Sequence, residues 1–286
     1  MQSILSIQSH VAYGYVGNRA AVFPLQRLGF DVSAVNTVQF SNHTGYGEWA
    51  GDVFSHEHIR QVIDGIDVRK PINSFTAVLS GYMGDAALGE IIVETVARAR
   101  EGNPDMLYCC DPVLGDVGRG IFVRPGVAEF IRDEAVTHAD ITTPNQFELE
   151  YLTGQAITDI DSAQQACAAL RRRGPHTVLL TSFEAADSND DTIAMLVDSN
   201  DGTWLVETPK LPIDPAPNGS GDATAAIFLA KYLETGNAEL ALEHVTAAIF
   251  AVFSATLAAQ TRELQFIAAQ DEILAPKQHF ALQHLR

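Results

Sequence analysis

Short apolar segments alternate with helical patterns along most of this 286-residue chain. Residues 4–7, 76–80, 106–110 and 177–181 are largely apolar, and the segments between them repeat apolar residues at spacings of three and four. Strands that are apolar on both faces and separated by helices are typical of a parallel sheet covered on both sides. The sequence therefore predicts an α/β fold with a central, mostly parallel sheet, formed as one domain over residues 1–286.

Composition excludes several classes of partner. The net charge of −18 disfavours binding to nucleic acid or to an anionic membrane. Three cysteines are too few for a disulfide framework, and the first residues lack the basic and apolar regions of a signal peptide, so we expect a cytoplasmic protein. The apolar stretch 245–259 is shorter than a membrane span and is expected to be a buried helix.

A glycine turn over residues 218–222, Asn-Gly-Ser-Gly-Asp, precedes a helical pattern that starts at Asp222. Four prolines in the nine residues before this turn prevent a helix from starting earlier. The free backbone N–H groups at the start of such a helix can bind an anion. A carboxylate does not itself bind phosphate, so Asp222 is a base, a metal partner or a favourable helix charge. An ordinary glycine turn would have the same pattern.

Two further segments carry carboxylates after strands. Residues 111–116, Asp-Pro-Val-Leu-Gly-Asp, hold Asp111 and Asp116, and Mg²⁺ is usually held by one or two carboxylates together with phosphates. An Asp-Pro turn is the plainer interpretation. In residues 143–148, Thr143 is expected to cap a helix that has Pro144 in its first turn, with Asn145 and Glu148 on one exposed face. That face suits a metal or a nucleotide phosphate, whereas a capping box would leave Glu148 a surface residue.

The segment 40–51 has neither helical nor strand periodicity and is a candidate binding loop. The histidines at 10 and 43 lie in such loops, where a lone histidine is more often structural than catalytic. The chain has no phosphate-binding loop of the Walker type and no complete dinucleotide fingerprint.

The order of these motifs resembles the ribokinase superfamily, and the N-terminal half resembles its pyridoxal kinase family, in particular the bacterial PdxY-like branch. The similarity runs through nearly the whole chain. It is carried by residues 6–18 (Ser-Ile-Gln-Ser-His-Val-Ala-Tyr-Gly-Tyr-Val-Gly-Asn), 38–44, 79–82, 111–113, 125–130, 143–148, 219–222 and 243–248.

The resemblance implies a three-layer α/β/α sandwich without a separate lid domain, usually dimeric. It implies ATP-dependent phosphorylation of the 5′-hydroxymethyl group of pyridoxal, with Mg²⁺ and often K⁺. Asp222 would be the catalytic base, and Gly219 and Gly221 would form an anion hole. The remaining implied site residues are Ser9, Val16, Phe40, Thr44, Gly45 and Tyr82 for pyridoxal, Asp111, Asp116, Thr143, Glu148, Thr181 and Asn218 for the nucleotide, and Asp116 and Glu148 for Mg²⁺.

Two positions depart from what the resemblance leads us to expect. We expect glutamine after Thr44 and lysine at the end of the strand 177–181, where this chain has Gly45 and Thr181. A lost cation near the phosphates would weaken ATP binding or slow turnover. The alternatives are therefore a hydroxymethylpyrimidine kinase, built on the same motifs, and a vitamin B6-binding protein with little kinase activity.

Overall fold

The computed structural model describes residues 2–184 and 191–285. Its central element is a nine-stranded sheet with the strand order β13-β12-β11-β10-β9-β6-β5-β1-β2. The pairs from β2 through β10 are parallel, and the pairs from β10 through β13 are antiparallel. The sheet is mixed but mostly parallel, as predicted from the apolar segments.

The strands of the main sheet are β1 (Ser3–Gln8), β2 (Asp31–Asn36), β5 (Ala77–Ser80), β6 (Leu107–Cys110), β9 (Ile141–Thr142), β10 (Thr177–Phe183), β11 (Thr192–Ser199), β12 (Gly202–Pro209) and β13 (Leu282–His284). Two small antiparallel pairs are β3 (Val38–Phe40) with β4 (Gly51–Val53), and β7 (Gly115–Asp116) with β8 (Gly120–Ile121). The helices are α1 (Asn18–Arg27), α2 (His56–Arg69), α3 (Ala86–Gly102), α4 (Val127–Asp133), α5 (Gln146–Thr153), α6 (Ile160–Arg171), α7 (Ser220–Thr235), α8 (Ala238–Ala258) and α9 (Gln270–Leu274).

The helices form a layer on each face of the sheet. Alternate residues of β1 point to opposite sides, so Leu5 and Ile7 pack with α2 to α6, whereas Ile4 packs with α1, α7, α8 and α9. Both clusters consist of residues that are almost fully buried. This arrangement confirms the three-layer α/β/α sandwich.

Helix α8 contains the apolar stretch that the sequence placed in a buried helix. Among the described residues it is the one helix long and apolar enough to cross a membrane by length and composition, with a mean hydropathy of 1.7. Half of the 18-residue window that gives this value is buried against other parts of the chain. Packing against α7 and α9 accounts for the buried half of this helix.

Candidate active site

The carboxyl ends of the parallel strands open into a cleft of about 350 Å³. Ser9 follows β1, Asp111 follows β6 and Thr143 follows β9, so the topology alone brings three distant segments together. The residues lining the cleft are Ser9, Val11, Val16, Val38, Phe40, His43, Thr44, Tyr82, Asp111, Val113, Gly115, Asp116, Arg119, Phe122, Thr143, Asn145, Glu148, Thr181, Ser182, Pro217, Asn218, Gly219, Ser220, Gly221 and Asp222. Every site residue predicted from the sequence lines this cleft except Gly45.

The glycine turn forms the N-terminus of α7 at the cleft. Gly219 is the N-cap with a φ of 87°, and no side chain of the described residues caps this helix. A Cβ on Gly219 would lie 1.8 Å from the backbone oxygen of Tyr15, so only glycine fits against that loop. The first N–H groups of α7 therefore remain available to a ligand.

Asp222 lies in the first turn of α7, at the edge of the cleft and partly exposed. Burial raises the pKa of Asp222 to about 6, although the backbone N–H groups of Gly17 and of Asp222 itself lower it in part. A carboxylate with this pKa is ionised at pH 7 and binds a proton more readily than an exposed one. It can act as a general base.

Asp111 is buried where β6 ends, and the Thr143 hydroxyl donates a hydrogen bond of 2.9 Å to its Oδ1. Burial, and then the nearby charge of Asp222, raise the pKa of Asp111 to about 8. These two carboxyl groups come from distant parts of the sequence and repel each other in the same cleft. Asp111 therefore holds a proton at pH 7 in the ligand-free cleft, and a bound cation would favour its ionised form.

Glu148 is buried rather than exposed, and the sequence interpretation of its helix was wrong. Helix α5 is capped by Asn145, not Thr143, and Asn145 and Glu148 form a capping box with two hydrogen bonds of 2.9 Å. The Leu114 N–H donates a third bond of 3.1 Å to Glu148 Oε1. Burial and the charge of Asp111 raise the pKa of Glu148 well above its usual range.

The helix starts two residues later than predicted because Thr143 and Pro144 are still hydrogen-bonded to strands β6 and β10. The Thr143 N–H donates to the Cys110 carbonyl, and the Pro144 carbonyl accepts from the Thr181 N–H at 2.9 Å. These two bonds place Thr143 and Pro144 before the first turn of α5. The residue types of a capping box were present in the sequence at positions 145 and 148, directly after the proline that was expected to open the helix.

The donor set at this end of the cleft fits Mg²⁺. The described residues contain no group of three or more His, Cys, Asp and Glu side chains that would form a complete metal cage. Buried Asp111 and Glu148 and exposed Asp116 nevertheless present hard carboxylate oxygens, and the hydrogen bonds of the two buried acids come from uncharged groups. A cation that takes one or two carboxylates and completes its shell with phosphates and water matches this arrangement.

At the opposite end of the cleft the walls are apolar and aromatic. Val16 is buried, Phe40 packs against Trp49 with ring centroids 4.2 Å apart, and Tyr82 is half-buried. Burial raises the pKa of the Tyr82 hydroxyl, so the side chain stays a neutral phenol. With the hydroxyl groups of Ser9 and Thr44, this end suits a flat aromatic ring with polar substituents.

The two unexpected residues have structural explanations. A Cβ on Gly45 would lie 2.9 Å from Nδ1 of His43, so a larger residue would require the His43 ring to shift, whereas Nη2 of Arg119 at 3.4 Å would be in ordinary contact. Thr181 is buried and hydrogen-bonded through its backbone to Pro144. Glycine and threonine are thus compatible with an intact cleft.

His43 is a cleft residue that the sequence interpretation did not place in the site. Its Nδ1 accepts a hydrogen bond of 3.1 Å from the Gly45 N–H, so in the neutral ring the proton is on Nε2. Burial, and then the charges of Arg119 and Arg262, lower the pKa of His43. The histidine is therefore a neutral hydrogen-bond donor at pH 7. Its position inside the candidate loop 40–51 was the available signal.

Comparison with known proteins finds similar sequences among kinases. The profile of the phosphomethylpyrimidine kinase family matches residues 33–263. A pyridoxal kinase PdxY of Rubrobacter xylanophilus is 51% identical over 284 residues, which cover 99% of this chain and 97% of the relative. A pyridoxal kinase PdxY of Deinococcus radiodurans is 50% identical over 288 residues, covering 99% of this chain and 97% of that protein.

Solved structures give the same result. The pyridoxal kinase of Leishmania donovani in complex with ADP and ginkgotoxin superposes with a TM-score of 0.92 at 32% identity, over 100% of both chains. The same enzyme in complex with ADP and pyridoxamine gives a TM-score of 0.91 at 33% identity, over 99% of both chains. The fold of this chain is therefore that of a known group of kinases.

Proposed function

The chain belongs to the pyridoxal kinase family, and we propose that it transfers the γ-phosphoryl group of ATP to the 5′-hydroxymethyl oxygen of pyridoxal, giving pyridoxal 5′-phosphate and ADP. The observation that carries this proposal is the position of Asp222. Its carboxylate, whose pKa is raised, lies in the first turn of a helix without a side-chain cap. It lines the same cleft as the apolar wall that suits an aromatic ring and as the buried acids Asp111 and Glu148. This is the arrangement that a phosphotransferase with an alcohol acceptor needs.

The mechanism follows from the geometry. Phosphoryl transfer has a loose transition state, so positioning and charge stabilisation dominate. The N–H groups at Gly219 and Gly221 stabilise charge on the transferring phosphoryl oxygens, and Asp222 accepts the proton of the attacking hydroxyl. Because Asp222 must be ionised, kcat falls as pH decreases below about 6.

The two ends of the cleft have separate binding tasks. Ser9, Val16, Phe40, Thr44 and Tyr82 hold the pyridoxal ring, with Gly45 leaving room for His43. The other end of the cleft, near the N-termini of α5 and α7, holds the nucleotide. The residues that line it there are Asp111, Asp116, Thr143, Glu148, Thr181 and Asn218.

Asp116 and Glu148 would hold Mg²⁺. When bound, the ion would neutralise charge on the polyphosphate, and we propose K⁺ as a further cation, as the resemblance implies. The fit rests on the hard carboxylate oxygens at this end of the cleft, those of Glu148 being buried and bonded to uncharged N–H groups.

We also propose that the protein is a cytoplasmic homodimer with one domain per chain. The free, buried thiols of Cys109, Cys110 and Cys167 agree with a reducing compartment. Light scattering of the purified protein gives its mass in solution, and a value near one chain mass would contradict the dimer.

The decisive experiment follows the absorbance change as pyridoxal and MgATP react, for the wild type and Asp222→Asn. We expect wild-type turnover and a variant that still binds both substrates but loses roughly 10²- to 10⁴-fold in kcat, as expected for a lost general base. Near-normal turnover by Asp222→Asn would refute the assignment of the base. A wild type without turnover at high enzyme concentration would favour a vitamin B6-binding protein.

Hydroxymethylpyrimidine kinase is a second candidate, because the matching family profile is that of phosphomethylpyrimidine kinases. The ratio of kcat/KM for pyridoxal and for hydroxymethylpyrimidine separates the two functions. We expect the ratio to favour pyridoxal, and a ratio below one would reverse the proposal.

A further inference from the structure

A buried amide lies beneath the start of α1 and faces the sheet. Asn18 is only 2% exposed, and its Nδ2 donates to the Val35 carbonyl at 3.0 Å and to Asn36 Oδ1 at 2.9 Å. Its Oδ1 accepts from the Ser6 hydroxyl at 2.7 Å, and Ser6 in turn accepts from Gln8 Nε2 at 2.9 Å. One side chain thus connects the ends of strands β1 and β2.

This side chain does not cap its own helix. The N-cap of α1 is Gly17, and no side chain of the described residues provides a cap there. Nothing in helix formation therefore requires asparagine at position 18, where a buried amide must have all its hydrogen bonds made. The side chain is directed into the sheet, where both its donor and its acceptor are used.

The backbone beside Asn18 connects the two functional parts of the cleft. The Asn18 N–H donates to the Ser9 carbonyl at 2.8 Å. The adjoining residues Tyr15 and Val16 lie directly against Gly219, in the turn that carries Asp222, and the Gly17 N–H lowers the pKa of Asp222. Ser9 and Asp222 both line the cleft. A shift at residue 18 therefore changes the pyridoxal pocket and the surroundings of the base together.

The contact between the backbone of Gly17 and the Ser9 carbonyl is tight. Gly17 has a φ of 55°, and a Cβ there would lie 2.1 Å from the Ser9 carbonyl oxygen. The backbone segments 9–10 and 17–18 are consequently locked against each other. Their joint position relative to the sheet depends on what holds residue 18, which is the amide network.

We propose that Asn18 is a positioning residue for phosphoryl transfer: its amide fixes the Gly17 N–H against Asp222 and the Ser9 loop against the sheet. This inference rests on the proposed function, in which Asp222 is the base. Asn18 itself does not contact substrate and acts through Gly17 and Ser9.

The test is steady-state kinetics of Asn18→Ser over a range of pH, beside Thr95→Val as a matched control. Thr95 is also buried and donates one hydrogen bond, of 2.7 Å to the Ile91 carbonyl, but it lies in α3. We expect kcat of Asn18→Ser to fall roughly 10- to 100-fold, because small misplacements of reacting groups are costly. KM for ATP should change little, and the acidic limb of kcat should move to higher pH as Asp222 loses its N–H partner.

Thr95→Val should lose thermal stability while keeping wild-type kcat and pH profile. The inference is overturned if Asn18→Ser keeps wild-type kcat and acidic limb, or if kcat falls in both variants in proportion to their melting temperatures. Should Asn18→Ser not fold, Asn36→Ala removes one acceptor of the amide, and it must lower kcat in the same direction or the inference fails. Failure of the proposed function is recognised separately, because the wild type itself would then lack turnover.

Discussion

Helices α7 and α5 both begin at the cleft, but their first turns are built in opposite ways. Helix α7 starts at Gly219, with no side chain of the described residues bonded to its N–H groups as a cap. Helix α5 starts at Asn145, and the capping box with Glu148 satisfies its N–H groups internally. Two helix N-termini at one site thus differ in whether their donors are available to a ligand.

The difference assigns a charge to each end of the site. The open terminus of α7 presents positive partial charge and suits an anion. At α5 the same partial charge is already met by the Glu148 carboxylate, which lies near the second buried acid, Asp111. That end suits a cation. The phosphate chain of a nucleotide, carrying its metal ion, can lie between the two.

Among changes to the residues that start or cap these two helices, the largest effect should come from Gly219→Ala at the open terminus. The added Cβ would collide with the Tyr15 carbonyl oxygen, so the turn must move. The N–H groups at the start of α7 would then no longer point at the bound phosphoryl group. We expect kcat to fall roughly 10²-fold, measured by the pyridoxal assay.

A matched control exists at the other end of the same helix. Gly236 also has a positive φ, of 63°, but a Cβ there meets no atom of the described residues within 4 Å. Gly236→Ala should cost about 1 kcal/mol in stability and leave kcat unchanged. Equal losses of activity in both variants would show that backbone strain, not the aim of the N–H groups, is responsible.

The next largest effect should come from Glu148→Gln at the closed terminus. The amide keeps the shape but removes the charge and places an NH₂ group against a backbone donor. We expect the Mg²⁺ concentration for half-maximal activity to rise roughly 10- to 100-fold. An unchanged Mg²⁺ dependence would remove Glu148 from the metal site.

The acids between the two termini should make the ligand-free protein less stable as pH rises. Asp111 has a pKa of about 8 in the folded protein, compared with an ordinary value of 3.8. Its protonated form therefore contributes to the free energy of unfolding below pH 4, and this contribution is lost as the pH rises toward 8. Urea unfolding at pH 5.5 and 8 measures this loss, on the order of 1 kcal/mol or more. Asp111→Asn should flatten the dependence, and an identical slope in the variant would show that another group causes it.

The smallest effect should come from Asn145→Ala, which removes the cap but keeps the Glu148 carboxylate. We expect the free energy of unfolding to fall by about 1 kcal/mol, the usual cost of a lost cap. Activity should decrease far less than in Gly219→Ala, because the open terminus is untouched. A loss of activity as large as in the glycine variant would mean that both termini hold the same group.

The sequence predicted most of the sheet because its strands are apolar on both faces. The segments 4–7 and 177–181 lie within β1 and β10, and the segments 76–80 and 106–110 contain β5 and β6. Asp85 caps α3 by accepting a 2.9 Å bond from the Leu88 N–H, and aspartate is a residue type that favours this position. Strands and helix caps that depend on local residue types can therefore be predicted from the sequence.

Features that depend on contacts between distant parts of the chain could not be predicted from the sequence. Strand β13 is short and has no apolar pattern, so it exists through its pairing with β12. The start of α5 depends on a hydrogen bond from Thr181, and the burial of Glu148 on its contact with Leu114. No local pattern contains these partners. The roles assigned to the cleft residues stay predictions until the variants are measured.

The late position of β13 in the chain has a consequence for synthesis on the ribosome. Residues 282–284 leave the exit tunnel after every other strand of the sheet, and until then the outer edge of β12 has unpaired backbone groups. An open strand edge is a template for pairing with another chain. Nascent molecules, and variants shortened before residue 282, should thus aggregate more readily.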